Sequence, residues 1–345
     1  MRLGAVLAAA VLLLAGCSAT ISGSAVPDAN APISSPSTTA SFTSRPPATT
    51  SPPAQTTTTS TSTSTSTSTS TSTSTQTTAP TSDRPSTSSA ENPTGPTAGT
   101  PPTSSPAAGA DVGLAGVNVP GCRSALPPVV LLHGTFSTIA VDFPVVVRAL
   151  NEAGHCVYGQ NYGFYGTAPV RDSAADAAAE IRAVLAGTGA TQVDVVGFSQ
   201  GGLVLRTALR FEGVADLVRI GALISPSFHG TTSPLIEALP GAVCAACADQ
   251  KAGSALLTEL AAGGDLDGAV RYATAVTTTD VIVTPWQNQP PDGPPERVRS
   301  VALDQRCPSL SVRHQDMPRV PSVAGWVTLA LDEGGDVDAD DLSCP

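Results

Sequence analysis

Lysine is almost missing from this chain: Lys251 stands alone among 345 residues. Arginine does not make up the difference, since Lys+Arg total 17 against 28 Asp+Glu, a formal net charge of −11. Neutralising a phosphate backbone takes clustered Lys and Arg, and no basic stripe is present, which excludes a nucleic-acid partner. Large apolar residues are scarce in the first third beyond its leading segment. Such a stretch cannot bury enough surface to offset the entropy of ordering its chain. A four-ligand zinc site is excluded as well, because Cys244 and Cys247 form one C-x-x-C pair and no second pair at ligand spacing appears. Histidine is limited to four residues, so a general base can be sought among them by elimination.

What is present divides the chain into three parts. The start, MRLGAVLAAAVLLLAGC, has Arg2, an apolar run over residues 3–15 and small residues before Cys17. The run is too short for a membrane span and has the form of a signal-peptide core. LAGC at residues 14–17 resembles the bacterial lipobox. That resemblance implies a lipoprotein signal over residues 1–16, cleavage before Cys17 and a diacylglycerol on its thiol. The alternative is an ordinary secretory signal with an incidental cysteine. Either way the chain is exported, and the first reading places it on the outer face of the plasma membrane, with release from the cell as a second fate.

Residues 17–118 read as a disordered Ser/Thr/Pro-rich linker, with the alternating run STSTSTST near the centre. The remaining 119–345 is the right size for one α/β domain, taken here as a monomer. Six further cysteines fall there: Cys122, Cys156, Cys244, Cys247, Cys307 and Cys344. An even number in an exported chain reads as disulfides. The acidic run DEGGDVDADD at residues 332–341 reads as a solvated terminus.

Short apolar runs mark six strands, at residues 127–134, 155–163, 192–198, 217–225, 269–280 and 296–303. Helix-like patterns lie at 143–153, 172–186, 200–211, 254–261 and 320–331. Strands buried on both faces and alternating with helices specify a mainly parallel central sheet flanked by helices. In such sheets reactive groups sit at the carboxyl ends of the strands.

VVGFSQGG at residues 195–202 meets that condition. Its strand is β-branched and apolar, a helix pattern follows, and Gly197 and Gly201 flank Ser199 where a sharp strand-to-helix turn leaves no room for side chains. The turn exposes Ser199 as a nucleophile, and the Gln200 amide then faces the place where an oxyanion forms. LLHGTF supplies a second oxyanion amide at Thr135, with His133 as a structural residue of that loop. Among the histidines, His155 begins a strand and so lies at the wrong end of the sheet. His229 is a rival base read as a loop anchor. His314 follows the last strand, giving the order Ser, acid, His. Asp280 ends a strand and is the acid, with Asp304 as runner-up and Asp316 too close in sequence to His314.

PVVLLHGTF, VYGQNYG, VDVVGFSQGG, SPSFHGTT, CAACADQKAGS, AVTTTDVIVTP and RCPSLSVRHQDMP together resemble the secreted class 2 triacylglycerol lipases of actinobacteria. The resemblance implies an α/β-hydrolase fold and hydrolysis of carboxylic esters without a metal or other cofactor. It places the nucleophile on Ser199, the acid on Asp280, the base on His314 and the oxyanion amides on Thr135 and Gln200. Family members often carry an acidic residue before the histidine and an aromatic before the aspartate, where this chain has Arg313 and Thr279. Residues 226–260 are long for a connection and read either as an acyl-binding cap or as a surface insertion. Cys122 and Cys156 both fall near the amino-terminal edge of the sheet and suit a disulfide, Cys244–Cys247 suits a local one, and Cys307–Cys344 would clamp the acidic tail. The open alternatives are a cutinase-like esterase, acyl transfer to cell-wall lipids, and a binding lipoprotein without activity.

Overall fold

The computed structural model describes residues 111–345. The leader over 1–16, Cys17 and the linker up to residue 110 lie outside the described residues. In chain order the main elements are β1 (Val129–Leu132), α1 (Pro144–Glu152), β2 (Val157–Gly159), α2 (Val170–Thr188), β3 (Val193–Phe198), α3 (Gln200–Phe211), β4 (Val218–Ile224), α4 (Ala255–Ala261), β5 (Arg271–Val276), β6 (Val298–Ala302) and α5 (Pro321–Asp332). The strands form one sheet in the order β2-β1-β3-β4-β5-β6, and every pairing is parallel.

The strand sequences explain this arrangement. VVLL and VDVVGF are rich in β-branched residues and buried along their whole length, as a sheet covered on both faces requires. Successive side chains point to opposite faces. Val129, Leu131, Val196 and Phe198 therefore meet the helices α1 and α5, while Val130, Leu132, Val193 and Val195 meet α2 and α3. Burying each such side chain contributes about 1.5–3 kcal/mol. Pro144 and Pro321 start α1 and α5 at positions whose amides have no helical partner, and α2 stops at Gly189, whose φ of 76° suits glycine.

Asp194 breaks the apolar pattern of β3 and is fully buried. Arg219 on the neighbouring strand forks onto it, with Nε 2.9 Å from Oδ1 and Nη2 2.5 Å from Oδ2. Burial still pushes the Asp194 carboxyl above its ordinary value, with Arg219 pulling against it.

Two parts of the molecule differ from the sequence expectation. The folded domain reaches back to residue 111, ahead of the expected start at 119. Val112 and Val117 are buried, the Asn118 amide donates to the Val157 carbonyl at 2.9 Å, and the Asn118 side chain donates to the Gly159 carbonyl at 2.7 Å. This segment covers the open side of β2, the edge strand, whose backbone groups would otherwise lack partners. The acidic tail is also not simply solvated. Arg299 pairs with Asp336 at 2.8 Å and with Asp338 at 2.9 Å, while Val337 and Leu342 are buried. Disulfides join Cys122 to Cys156, Cys244 to Cys247 and Cys307 to Cys344. No helix among the described residues is long and apolar enough to cross a membrane.

Candidate active site

The sheet order reverses at β1, which has β2 on one side and β3 on the other. In a parallel sheet that reversal opens a crevice beyond the carboxyl ends of the two strands. The loop after β1 and the turn after β3 both enter it.

Ser199 sits on the turn between β3 and α3 with φ 53° and ψ −118°, outside the regions that side chains favour. Such a conformation costs on the order of 1–3 kcal/mol and is held by its surroundings. Close packing makes the turn possible. A Cβ on Gly201 would lie 2.1 Å from the Leu132 carbonyl oxygen, and one on Gly197 would lie 3.0 Å from the Gly201 backbone. The Ser199 amide donates to the Ile224 carbonyl at 3.0 Å, and its carbonyl accepts the Ser227 amide at 3.0 Å.

Three side chains from three loops converge here. His314 Nε2 lies 2.9 Å from Ser199 Oγ, and His314 Nδ1 lies 2.6 Å from Asp280 Oδ2. A carboxylate can only accept, so Nδ1 of the neutral ring carries the proton and Nε2 presents its lone pair to the serine hydroxyl. All three residues are 6% exposed, which keeps the chain of hydrogen bonds out of bulk water. Asp280 is held from every side: Oδ1 accepts the amides of Ile282 and Val283 at 2.8 and 2.9 Å, and Oδ2 also accepts Gln289 Nε2 at 2.9 Å. Burial alone would raise the Asp280 carboxyl, but His314 and the Val283 and Ile282 amides hold it below its ordinary value. Gln289 was not legible as a site residue in the sequence.

The loop after β1 is built around His133. Tyr162 donates its amide to His133 Nε2 at 3.1 Å, so the ring proton is on Nδ1 and donates to the Gly134 carbonyl at 2.9 Å. The Tyr162 hydroxyl donates in turn to the His133 carbonyl. Burial pushes His133 down to about 4, so the ring is neutral and structural. Asp142, which the sequence reading did not single out, accepts the Gly134 amide at 2.8 Å and the Ser137 hydroxyl at 2.6 Å. With the Gly134 amide taken, Thr135 presents the next one, and neither the Thr135 amide nor the Gln200 amide has an acceptor among the described residues.

The other candidates lie elsewhere. His155 Nε2 pairs with Asp332 at 3.0 Å. His229 Nδ1 donates to the Asn288 carbonyl at 2.9 Å, and its Nε2 faces Asp265 at 2.6 Å. His229, Asp265 and Asp292 have the grouping of a cation site, and Arg206 pairs with Asp265 at 2.5 Å. Asp304 accepts the Thr278 amide at 2.8 Å, and Asp316 pairs with Arg313 at 2.8 Å. Residues 226–260 are tied to the domain through Gln250, which donates to Thr135 Oγ1 at 3.0 Å. Of the large exposed apolar side chains among the described residues, Val119 lies ahead of β1 and the others lie beyond the carboxyl ends of strands. Val141, Phe164, Tyr165, Leu235 and Val281 all lie on segments leaving the carboxyl ends of strands, and Phe164 is 78% exposed.

A family model described as the alpha/beta hydrolase fold matches residues 127–243, which run from just ahead of β1 past Ser199. The fold is that of the α/β-hydrolases. Lipase B of Aspergillus fumigatus superposes with a TM-score of 0.57 at 22% identity, covering 64% of this chain and 56% of that one. This chain thus spans little more than half of that protein's length, and the likeness is one of fold. The mature lipase BlEst2 of Bacillus licheniformis scores 0.39 at 18% identity, covering 46% and 69%. An esterase of Pyrobaculum calidifontis scores 0.39 at 18% identity, covering 60% and 76%, and neither of these two scores bears on the fold. No curated protein matches the chain.

Proposed function

We propose that the protein is a serine hydrolase of carboxylic esters, acting on acylglycerols at the outer face of the cell envelope. The observation that carries this reading is the unbroken chain from Ser199 Oγ to His314 Nε2 at 2.9 Å and from His314 Nδ1 to Asp280 at 2.6 Å. Ser199 attacks the ester carbonyl while His314 takes the hydroxyl proton, and Asp280 stabilises the imidazolium that results. The amides of Thr135 and Gln200 hold the negative oxygen of the tetrahedral intermediate. His314 then passes its proton to the leaving alcohol, which departs as the acyl-enzyme forms. Water, deprotonated by His314, attacks the acyl carbonyl, and the acid leaves as Ser199 recovers its proton.

A lipid substrate is supported by the likeness to class 2 lipases and by the exposed apolar side chains on segments that leave the carboxyl ends of strands. The neighbouring fold in Aspergillus fumigatus belongs to a lipase, which agrees with this reading. Attachment through Cys17 and a long linker would leave the domain free to reach lipid beyond the membrane surface. A chain-length series of p-nitrophenyl esters run beside emulsified triacylglycerol tests the proposal. Hydrolysis of both, rising with acyl length, is expected. Activity confined to the shortest soluble esters would reduce the reading to a general esterase, and faster transfer to an added alcohol than to water would replace it with acyl transfer.

A further inference from the structure

The turn between β2 and α2 is left-handed for four residues in a row: Gly163, Phe164, Tyr165 and Gly166 have φ of 59°, 47°, 60° and 70°. Residues with a Cβ resist that conformation, so the surroundings impose it. A Cβ on Gly163 would lie 2.5 Å from Ser173 Oγ, and one on Gly166 would lie 2.7 Å from Gln200 Oε1 and 2.9 Å from the Gly134 carbonyl oxygen. Pinned at both ends, the turn holds the Phe164 and Tyr165 rings out in solvent, edge to face with centroids 5.6 Å apart. Through Gly134 and Gln200 it abuts the site.

A second flank of the site carries charge. Arg319 donates to the Val141 and Gln315 carbonyls, both at 2.7 Å, and so ties the exposed Val141 to the loop of His314. Arg313 directly precedes His314, and its side chain is 65% exposed. Asp316 lies 2.8 Å from Arg313 and 3.8 Å from Arg319, so two guanidiniums share one carboxylate and one positive charge is left over. The two arginines border a groove of about 380 Å³ whose apolar wall is Leu310, Val312, Val320 and Pro321. Pro345 borders it as well, and its carboxylate forms no ion pair with either arginine. Of the segments that run from a strand's carboxyl end to the next main element, 303–320 alone has more Arg and Lys than Asp and Glu: Arg306, Arg313 and Arg319 against Asp304 and Asp316.

We propose that Arg313 and Arg319 form a headgroup site that seats this face on lipid bearing anionic phosphate, with Phe164, Tyr165 and Val141 entering the apolar layer. The inference names the surface on which the ester hydrolase works, and for that role it rests on the reading above. The net charge of −11 opposes approach to an acidic surface. Salt at about 0.1 M screens charges beyond about 10 Å, however, so the charge of the contacting face decides. A guanidinium close to an acidic bilayer strengthens binding about fivefold. Aromatic rings suit the boundary between headgroups and acyl chains, where their apolar bodies leave water.

The test uses the full chain with Cys17→Ser as parent, so that no lipid anchor holds it, and follows folding by Tm. It is sedimented at low ionic strength with vesicles of ether-linked phosphatidylcholine, alone or mixed equally with ether-linked phosphatidylglycerol, which carry no carboxylic ester. The parent should bind the acidic vesicles about 25-fold more tightly than the neutral ones. Arg313→Gln should lose about fivefold on acidic vesicles and nothing on neutral ones, and Arg313→Lys, which keeps the charge, should bind like the parent. Adding Arg319→Gln to Arg313→Gln should bring acidic binding down to the neutral level. Phe164→Ser with Tyr165→Ser should weaken binding to both compositions about tenfold or more. Equal binding of the parent to both compositions, or undiminished acidic binding by Arg313→Gln, would overturn the inference. Turnover of p-nitrophenyl butyrate by the parent is measured alongside. Vesicle binding as expected with no turnover would instead overturn the ester-hydrolase reading.

Discussion

The ring of His133 stacks on that of Tyr162 with centroids 4.0 Å apart and planes 10° from parallel, while its Nε2 accepts the Tyr162 amide. Protonation of His133 would place a second ring proton against that amide. Burial pushes the group from 6.5 down to about 4 in the folded protein. The unfolded chain therefore binds more protons between those values, and stability falls as pH drops from 6.5 toward 4. The full contribution is present above 6.5, and about 3 kcal/mol is lost by pH 4. Urea unfolding of wild type and His133→Asn at pH 7, 5.5 and 4.5 should show this slope in the wild type and a shallower one in the variant. Parallel slopes would mean that His133 does not set it.

Asp142 holds the Gly134 amide and the Ser137 hydroxyl, and so fixes the loop that offers the Thr135 amide. Asp142→Ala should cost about 2 kcal/mol from the buried donors left unpaired. It should also lower kcat about tenfold through a looser oxyanion site. Asp142→Asn, which keeps an acceptor for Gly134, should lose less on both counts. Steady-state kinetics and denaturant titration of the two variants check this.

Much of the fold is readable along the chain, because the strand runs are short, continuous and apolar and helix-like patterns lie between most of them. β2 is the main exception. Its sequence suggests a strand over residues 155–163, yet only Val157–Gly159 pairs, because Asn161 turns away to accept the Ile139 amide at 2.9 Å and Tyr162 turns into the His133 loop. Asp194 reads as an intrusion in a central strand until Arg219, 25 residues later, is seen to fork onto it. At the site, the structure brings Ser199, Asp280 and His314 together from loops whose order and placement the sequence displays. The residues that fix them are less visible. Gln250 meets Thr135 across a separation of 115 residues, and Gln289 carries no motif of its own. A buried glutamine cannot be told from a surface one until its partners are in place.

The Gly201 backbone runs beneath the Leu132 carbonyl with no space for a methyl group. Gly201→Ala should destabilise the protein by about 3 kcal/mol or more, because the obstructing atoms are backbone and cannot rotate away. Calorimetry should register this as a lower Tm together with lost activity. A variant of native Tm would show that the turn has more room than the packing indicates.

Cys307 and Cys344 are separated by 37 residues, and their disulfide closes the loop that contains His314 and α5. Cys344→Ser should cost about 4 kcal/mol by the loop-entropy relation, against about 2 kcal/mol for opening the much shorter Cys244–Cys247 loop. Guanidinium unfolding of the two serine variants compares them directly.

The central claim is that Ser199 becomes acylated. Wild type and Ser199→Ala, both verified as folded, are compared for p-nitrophenol release from p-nitrophenyl butyrate, and quenched samples are mapped by mass spectrometry. The account predicts a butyryl group on Ser199 of the wild type and a loss of at least about 1,000-fold in kcat for the variant. Native turnover in Ser199→Ala, or an acyl group on another residue that turns over at the catalytic rate, would contradict it.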